Sequence, residues 1–248
     1  MKIGILSDIH EDVQSLKLAF DKLEPFDCDE FVCLGDISGY SVDGFSFHND
    51  RDANKCMSLI KSKCSIVIPG NHDLYNIRRI PEYVSNFIYP ENWYELTFDE
   101  KDYLSQNKIW LYEQFDLSPM LNRKNISYLK SLNEFIIQEF ENIKILFSHN
   151  AHPDFSGSSK HFIRLQSELH SHFDFMTQND CQISFGGHQH PEAGIIASSD
   201  SFEKLDFGNH KIPNKKVWIV VPSIARSNKK RGVSILDTEE MTLNFIQI

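Results

Sequence analysis

Five short apolar runs in this chain each lead into residues that can bind a cation. Lys2–Leu6 runs into Asp8 and His10, Glu30–Leu34 into Asp36, and Ser65–Ile68 into Asn71 and His72. Ile143–Phe147 runs into His149, and Gln182–Phe185 into His188 and His190. A turn has use for Gly, Asn and Asp, but none for an imidazole. Asp8, Asp36, Asn71, His10, His149, His188 and His190 together form a mixed oxygen and nitrogen donor set that suits Mn, Fe, Zn, Ni or Co. Seven donors exceed one tetrahedral ion and suit two divalent ions sharing a bridging carboxylate, about 3.5–4 Å apart. Taken singly, Asp8 and Asp36 read as helix caps, Asn71 as a turn residue and His149 as a core histidine. Taken together they do not, because so many uncompensated polar groups beside strand ends would carry a large desolvation cost.

The elements that must position these residues alternate. After strand Lys2–Leu6, the segment Asp12–Leu23 puts Val13, Leu16, Ala19, Phe20 and Leu23 on one helical face, with Asp12 as N-cap. Strand Glu30–Leu34, a helix over Asp52–Lys63 and strand Ser65–Ile68 repeat the pattern, which is α/β and doubly wound. Residues 75–137 break it with an aromatic-rich insertion that includes a helix over Asn125–Glu134. This insertion can cap the crevice and stack on a nucleobase; packing as an added helical layer is the preferred reading. The alternation resumes with strand Ile143–Phe147, a helix over Ser158–Phe173 with Phe162, Leu165, Leu169 and Phe173 on one stripe, and strand Gln182–Phe185. The tail segments Lys216–Val221, Gly232–Leu236 and Thr242–Ile248 read as antiparallel strands. No linker divides the chain, so residues 1–248 read as a single domain. In open α/β sheets ligands collect at the carboxyl ends of strands, so the donors should meet in one crevice.

Composition narrows the function. Hydrophobic residues make up 41% of the 248, enough for one large core. The formal net charge of -10 argues against a generic nucleic-acid binder or a partner of anionic membranes. Five cysteines, without CxxC spacing, read as reduced thiols packed as small hydrophobes. The N-terminus lacks a basic-then-apolar leader pattern, and no run reaches the roughly 18 apolar residues of a membrane span. A cytoplasmic protein is expected.

The motifs also carry a resemblance. "SDIH" (Ser7–His10), "LGDISGY" (Leu34–Tyr40), "PGNHD" (Pro69–Asp73), "FSHN" (Phe147–Asn150) and "GGHQH" (Gly186–His190) resemble, in order, the five motifs of the calcineurin-like metallophosphoesterases. The resemblance implies a four-layer α/β/β/α sandwich with two mixed sheets and a helical insertion. It also implies one ion on Asp8, His10, Asp36 and His190 and a second on Asp36, Asn71, His149 and His188, with Asp36 bridging. His72 is then left outside the metal shell, free to act as general acid toward the leaving group. Asp73 either orients the His72 ring or serves as a cap or turn residue.

This sequence departs from several branches of the family. "GDISGY" lacks the G-D-x-x-D-R-G pattern of the serine/threonine protein phosphatases, and most resembles the loop of bacterial and archaeal phosphoesterases of the GD-x-x-GYGPDP type. Glu11 and Asp12 stand where relatives often carry Gly and Asn, which disfavours highly anionic substrates. The expected function is hydrolysis of a phosphodiester or small phosphomonoester by metal-bound hydroxide, with small phosphoesters, nucleotides included, as partners. The alternatives are a nucleotide pyrophosphohydrolase and a non-catalytic scaffold on the same fold; the scaffold predicts eroded ligands, which are not seen here. His152 and Arg226 are candidate substrate contacts. The basic run Arg226–Arg231 either closes over a phosphate or forms a solvated hairpin tip, the latter being preferred.

Overall fold

Strands as uniformly apolar as these have no face to offer water, so each must be covered on both sides. The computed structural model describes all 248 residues. In order the chain forms β1 (Lys2–Leu6), α1 (Val13–Leu23), β2 (Glu30–Cys33), β3 (Tyr40–Ser41), α2 (Ala53–Lys63), β4 (Ile66–Val67) and α3 (Asn71–Asn76). It continues through α4 (Phe98–Ser105), β5 (Asp116–Leu117), α5 (Arg123–Ser131), β6 (Phe135–Phe140), β7 (Ile143–Ser148), α6 (His170–Gln178) and β8 (Ile183–Gly186). Six strands end it: β9 (Gly194–Ala197), β10 (Phe202–Leu205), β11 (Gly208–Lys211), β12 (Val217–Val220), β13 (Gly232–Asp237) and β14 (Thr242–Gln247).

Two six-stranded mixed sheets stack face to face, in the orders β11-β14-β13-β1-β2-β4 and β10-β9-β12-β8-β7-β6. Alternation along β1 sends Ile3 and Ile5 inward and Leu6 outward. Between the sheets, Ile3, Ile5 and Val32 meet Phe147, Phe185 and Ile219. Outside the first sheet, Leu16 and Phe20 of α1, Met57 and Ile60 of α2 and Leu129 of α5 cover Leu6, Cys33 and Val67. Outside the second, Phe173 and Met176 of α6 cover Leu146, Trp218 and Val220. The result is the expected four-layer sandwich, in which each fully buried Leu, Ile or Phe contributes roughly 1.5–3 kcal/mol. Asp12 caps α1 by accepting from the Ser15 amide, and Asp52 caps α2 by accepting from the Lys55 amide.

Three expectations need correction. The helix expected over Ser158–Phe173 does not form there; α6 starts at His170, and residues 160–165 are irregular. Phe162, read as core-facing, instead stacks on His188 with ring centroids 5.3 Å apart. The insertion carries α4 and α5 as its helical stretches, with Pro81 and Pro90 interrupting the rest and its rings packing edge-on, Tyr89 against Trp93 at 5.2 Å, but its far boundary is corrected. Residues 135–137 belong to β6, not to the insertion. The tail strands do not form one antiparallel set either. Strand β12 lies in the second sheet parallel to β8, whereas β13 and β14 pair antiparallel in the first.

Candidate metal centre

Strands β1, β2 and β4 run parallel in one sheet, and β7 and β8 run parallel in the other. Their carboxyl ends carry Asp8, His10, Asp36, Asn71, His149, His188 and His190, and the fold brings all seven together. His149 Nε2 lies 3.2 Å from Asp36 Oδ2 and 3.8 Å from Asp8 Oδ1. His10 Nε2 lies 3.8 Å from Asp36 Oδ2 and 3.3 Å from His190 Nε2, which is itself 3.0 Å from Asp8 Oδ1. Asn71 Oδ1 faces His188 Nδ1 at 3.0 Å. Ligand atoms of Asp8, His10 and His190, and of Asp8, Asp36 and His149, fall within 4.8 Å of one another.

Backbone groups hold these side chains in place. His10 Nδ1 pairs with the Gly39 carbonyl at 2.7 Å, and His149 Nδ1 with the Leu34 carbonyl at 2.6 Å. A ring that donates through Nδ1 turns its Nε2 lone pair toward the centre. The amides of His188 and His72 donate to the carboxylates of Asp8 and Asp36. Tyr112 Oη takes a hydrogen bond from Asn71 Nδ2 at 2.5 Å, leaving the amide oxygen facing inward.

Backbone strain concentrates in the same place. Asp8, His10, Asp36, His188 and His190 have φ of +56°, +47°, +50°, +63° and +45°. Left-handed conformations cost L-residues about 1–2 kcal/mol each and cluster at functional sites. Close loop contact over-determines them. A Cβ on Gly187 would sit 1.9 Å from Ser7 Oγ and 2.7 Å from Asp8 Oδ2, so only glycine fits there.

The electrostatics suit a cation. Burial opposes ionisation of Asp8, yet His190 and His149 hold its carboxyl low. Burial likewise opposes ionisation of Asp36, which His149, His72 and His10 hold well below the usual carboxylate range. Burial also lowers His149 and His72, but for each Asp36 leads the opposing charges, and both are raised to about 9. Burial wins at His10 and His188, which fall to about 4 and about 3. Without an ion, therefore, protonated imidazoles balance two buried carboxylates. His188 Nε2 is buried and has no hydrogen-bond partner, and His149 Nε2 meets Asp36 as an ion pair without hydrogen-bond alignment. An orphaned group of this kind costs about 1–3 kcal/mol. Imidazole nitrogens so placed beside paired carboxylates fit divalent transition metals.

His72 stands at the edge of the cluster, and ring or carboxylate atoms of His10, Asp36 and His72 also fall within 4.8 Å of one another. Its Nδ1 is committed elsewhere, to Asp116 Oδ2 at 2.6 Å. Sequence reasoning missed Asp116. It lies in no motif, and it arrives through the small ribbon in which Ser41 of β3 pairs with Asp116 of β5. Asp73 does not orient the His72 ring. It is fully buried and accepts from the amides of Ile37, Ser38 and Gly70, capping α3 and tying the Asp36 loop to the Asn71 loop.

A cleft of about 1320 Å³ opens from the cluster, with Asp36, Asn71, His72, His188 and His190 in its wall and the insertion residues Trp110 and Phe115 along it. The expected substrate contacts do not reach it. His152 stacks on Phe175 at 4.9 Å, and its amide donates to His172 Nδ1. Arg226 forks onto Asp12, with Nε 2.8 Å from Oδ2 and an Nη 3.0 Å from Oδ1, because a buried cap carboxylate needs a counter-charge. Of the basic run, Lys229 does line the cleft, where its Nζ donates to the His190 carbonyl.

Two stacked mixed sheets with an oxygen- and nitrogen-donor cluster at their joined carboxyl ends define the metallophosphoesterase class. Residues 1–192 match the profile described as calcineurin-like phosphoesterase, and the chain belongs to that family. An uncharacterised protein of Methanocaldococcus jannaschii is 24% identical over 147 residues, 59% of this chain and 48% of that protein. The chain thus spans about half the length of the curated relative it matches. A metallophosphoesterase from Sphaerobacter thermophilus has the same fold, with a TM-score of 0.67 and 19% identity over 100% of this chain and 88% of that one. A hypothetical protein from Pyrococcus horikoshii gives 0.61 and 14% over 100% and 87%. No helix is long and apolar enough to cross a membrane.

Proposed function

We propose that this chain hydrolyses a phosphodiester or a small phosphomonoester, with two divalent ions in the cluster and His72 as proton donor. The observation that carries the reading is the position of Asp36. Its Oδ2 contacts His149 at 3.2 Å and His10 at 3.8 Å, the rings assigned to opposite ions. Asp8, His10 and His190 complete the first set, and Asn71, His149 and His188 the second. Bound there, the ions supply Lewis-acid polarisation of the phosphoryl group and activation of water.

The side chains have separate tasks. The Gly39 and Leu34 carbonyls hold His10 and His149 in the tautomer whose Nε2 can ligate. Tyr112 keeps the Asn71 oxygen turned inward. Asp116 occupies Nδ1 of His72, so Nε2 is left to give its proton to the departing alkoxide oxygen, a contribution of roughly 10²–10⁴-fold.

Elemental analysis of the purified protein, followed by a phosphoester panel with the metals found, tests this. With Mn²⁺ the protein should hydrolyse bis-p-nitrophenyl phosphate or p-nitrophenyl phosphate, and chelation should abolish turnover. Asp36→Ala should lose both metal and activity. His72→Ala should keep metal and fail on esters with poor leaving groups; loss of metal there would remove its role as acid. Inactivity with every metal across the panel would favour a scaffold.

A further inference from the structure

Beside His188 the cleft has a wall of rings, Phe162 exposed and Trp110 half-buried. Phe162 lies over the His188 imidazole, centroids 5.3 Å apart and planes 29° apart, although 38% of its surface is exposed. Trp110 follows, 5.8 Å from Phe162, with Lys160 Nζ 5.5 Å from the indole. Backbone pairing makes the wall rigid. The Trp110 amide donates to the Ser158 carbonyl, the Lys160 amide donates to the Lys108 carbonyl, and Ile109 bridges Ser159. Rings serving only the core would be covered; these line a cleft larger than the ~300–1,000 Å³ of most small-ligand pockets.

Charge adds a second constraint. Lys160, Arg164, Lys204 and Lys229 all line the cleft, and none makes an ion pair, in a chain of net charge -10. Lys160 and Arg164 flank Phe162 two residues to either side. Six acidic side chains share the lining, Asp36, Asp43, Asp102, Asp116, Glu192 and Asp206, so a bare polyanion suits the cleft less well than an anion with an apolar body. Gln114, without a side-chain hydrogen bond, adds an amide able to read a polar ring edge.

Resting on the hydrolytic site proposed above, we propose that Phe162 and Trp110 form a subsite for the base of a nucleoside-bearing phosphoester. Lys160 and Arg164 face further negative charge on the same substrate. One ring contact separates the His188 imidazole from Phe162 and a second separates Phe162 from Trp110, so a sugar can bridge a phosphate at the cluster and a base on the wall.

The test uses the full chain loaded with Mn²⁺. Its probes are the isosteric phosphonates of adenosine 5′-monophosphate and ribose 5-phosphate, whose P–C bond cannot be hydrolysed. Binding is measured by calorimetry and by the ligand-induced change in tryptophan fluorescence, assigned to Trp110 because Trp93 and Trp218 do not line the cleft. Base–aromatic stacking predicts that the adenosine compound binds about 5- to 150-fold tighter and quenches fluorescence. Trp110→Ala should bring the affinity ratio close to one. Phe162→Leu, which keeps apolar cover on His188, should also lower it and decides the matter if the first variant does not fold. Equal affinities in the unmodified protein, or an unchanged ratio in Phe162→Leu, would overturn the subsite and leave phosphate capture intact. Failure of both phosphonates to bind would remove the subsite and the monoester form of the hydrolytic reading.

Discussion

Asp116→Asn removes one negative charge from beneath His72 while keeping an oxygen that can accept from Nδ1. The contact is short, 2.6 Å, and the carboxylate side chain is 2% exposed. At an effective dielectric near 20, unit charges about 4 Å apart interact by ~4 kcal/mol, and a neighbouring opposite charge shifts a pKa by roughly 1–3 units. In the metal-free chain His72 is raised to about 9 because Asp36 and then Asp116 outweigh the lowering effect of burial. Loss of the smaller contribution should lower His72 by about 1–2 units, which depletes its acid form at pH 8 by about 2- to 10-fold. The assay compares an alkyl with a p-nitrophenyl phosphodiester on the metal-loaded variant at pH 6 and pH 8. Alkyl turnover at pH 8 should fall by about that factor and recover in part at pH 6. p-Nitrophenyl turnover should stay within about threefold, since that leaving group departs without a proton. Equal loss on both esters, or loss of bound metal, would refute the reasoning and make Asp116 a structural or ligating residue.

Three further outcomes are expected. Gly187→Ala would push a methyl to 1.9 Å from Ser7 Oγ and 2.7 Å from Asp8 Oδ2; elemental analysis should show depleted metal, and denaturation a loss of about 1–3 kcal/mol. Arg226→Ala strands the buried Asp12 carboxylate. It should cost about 2–4 kcal/mol in urea unfolding, less than a fully buried pair because the guanidinium is partly in water, with metal content unchanged. His149 is raised from 6.5 to about 9, so its contribution to metal-free stability is complete below pH 6.5 and is lost as pH climbs through 9. Chelator-treated protein should therefore melt lower at pH 9 than at pH 6.5 as far as this group is concerned, and Mn²⁺ loading at pH 7 should release about one proton per chain, read by calorimetry in buffers of different ionisation enthalpy.

The sequence alone determined the candidate donors and most of the frame. Asp8, His10, Asp36, Asn71, His149, His188 and His190 were legible because each follows an apolar run that can only be a buried strand, and ligands gather where parallel strands end. The helices capped by Asp12 and Asp52 were legible because capping and helical periodicity are local. Tertiary structure decided everything that depends on contact between remote segments. Asp116 reaches His72 only through a two-residue ribbon, and Phe162 leaves the expected helical stripe because His188 offers its ring a partner 26 residues away in sequence. Arg226 was read as a substrate contact because a free guanidinium looks available until the buried Asp12 carboxylate that claims it is placed beside it. Local pattern records a residue's own preferences; it does not record which distant charge or ring will satisfy them.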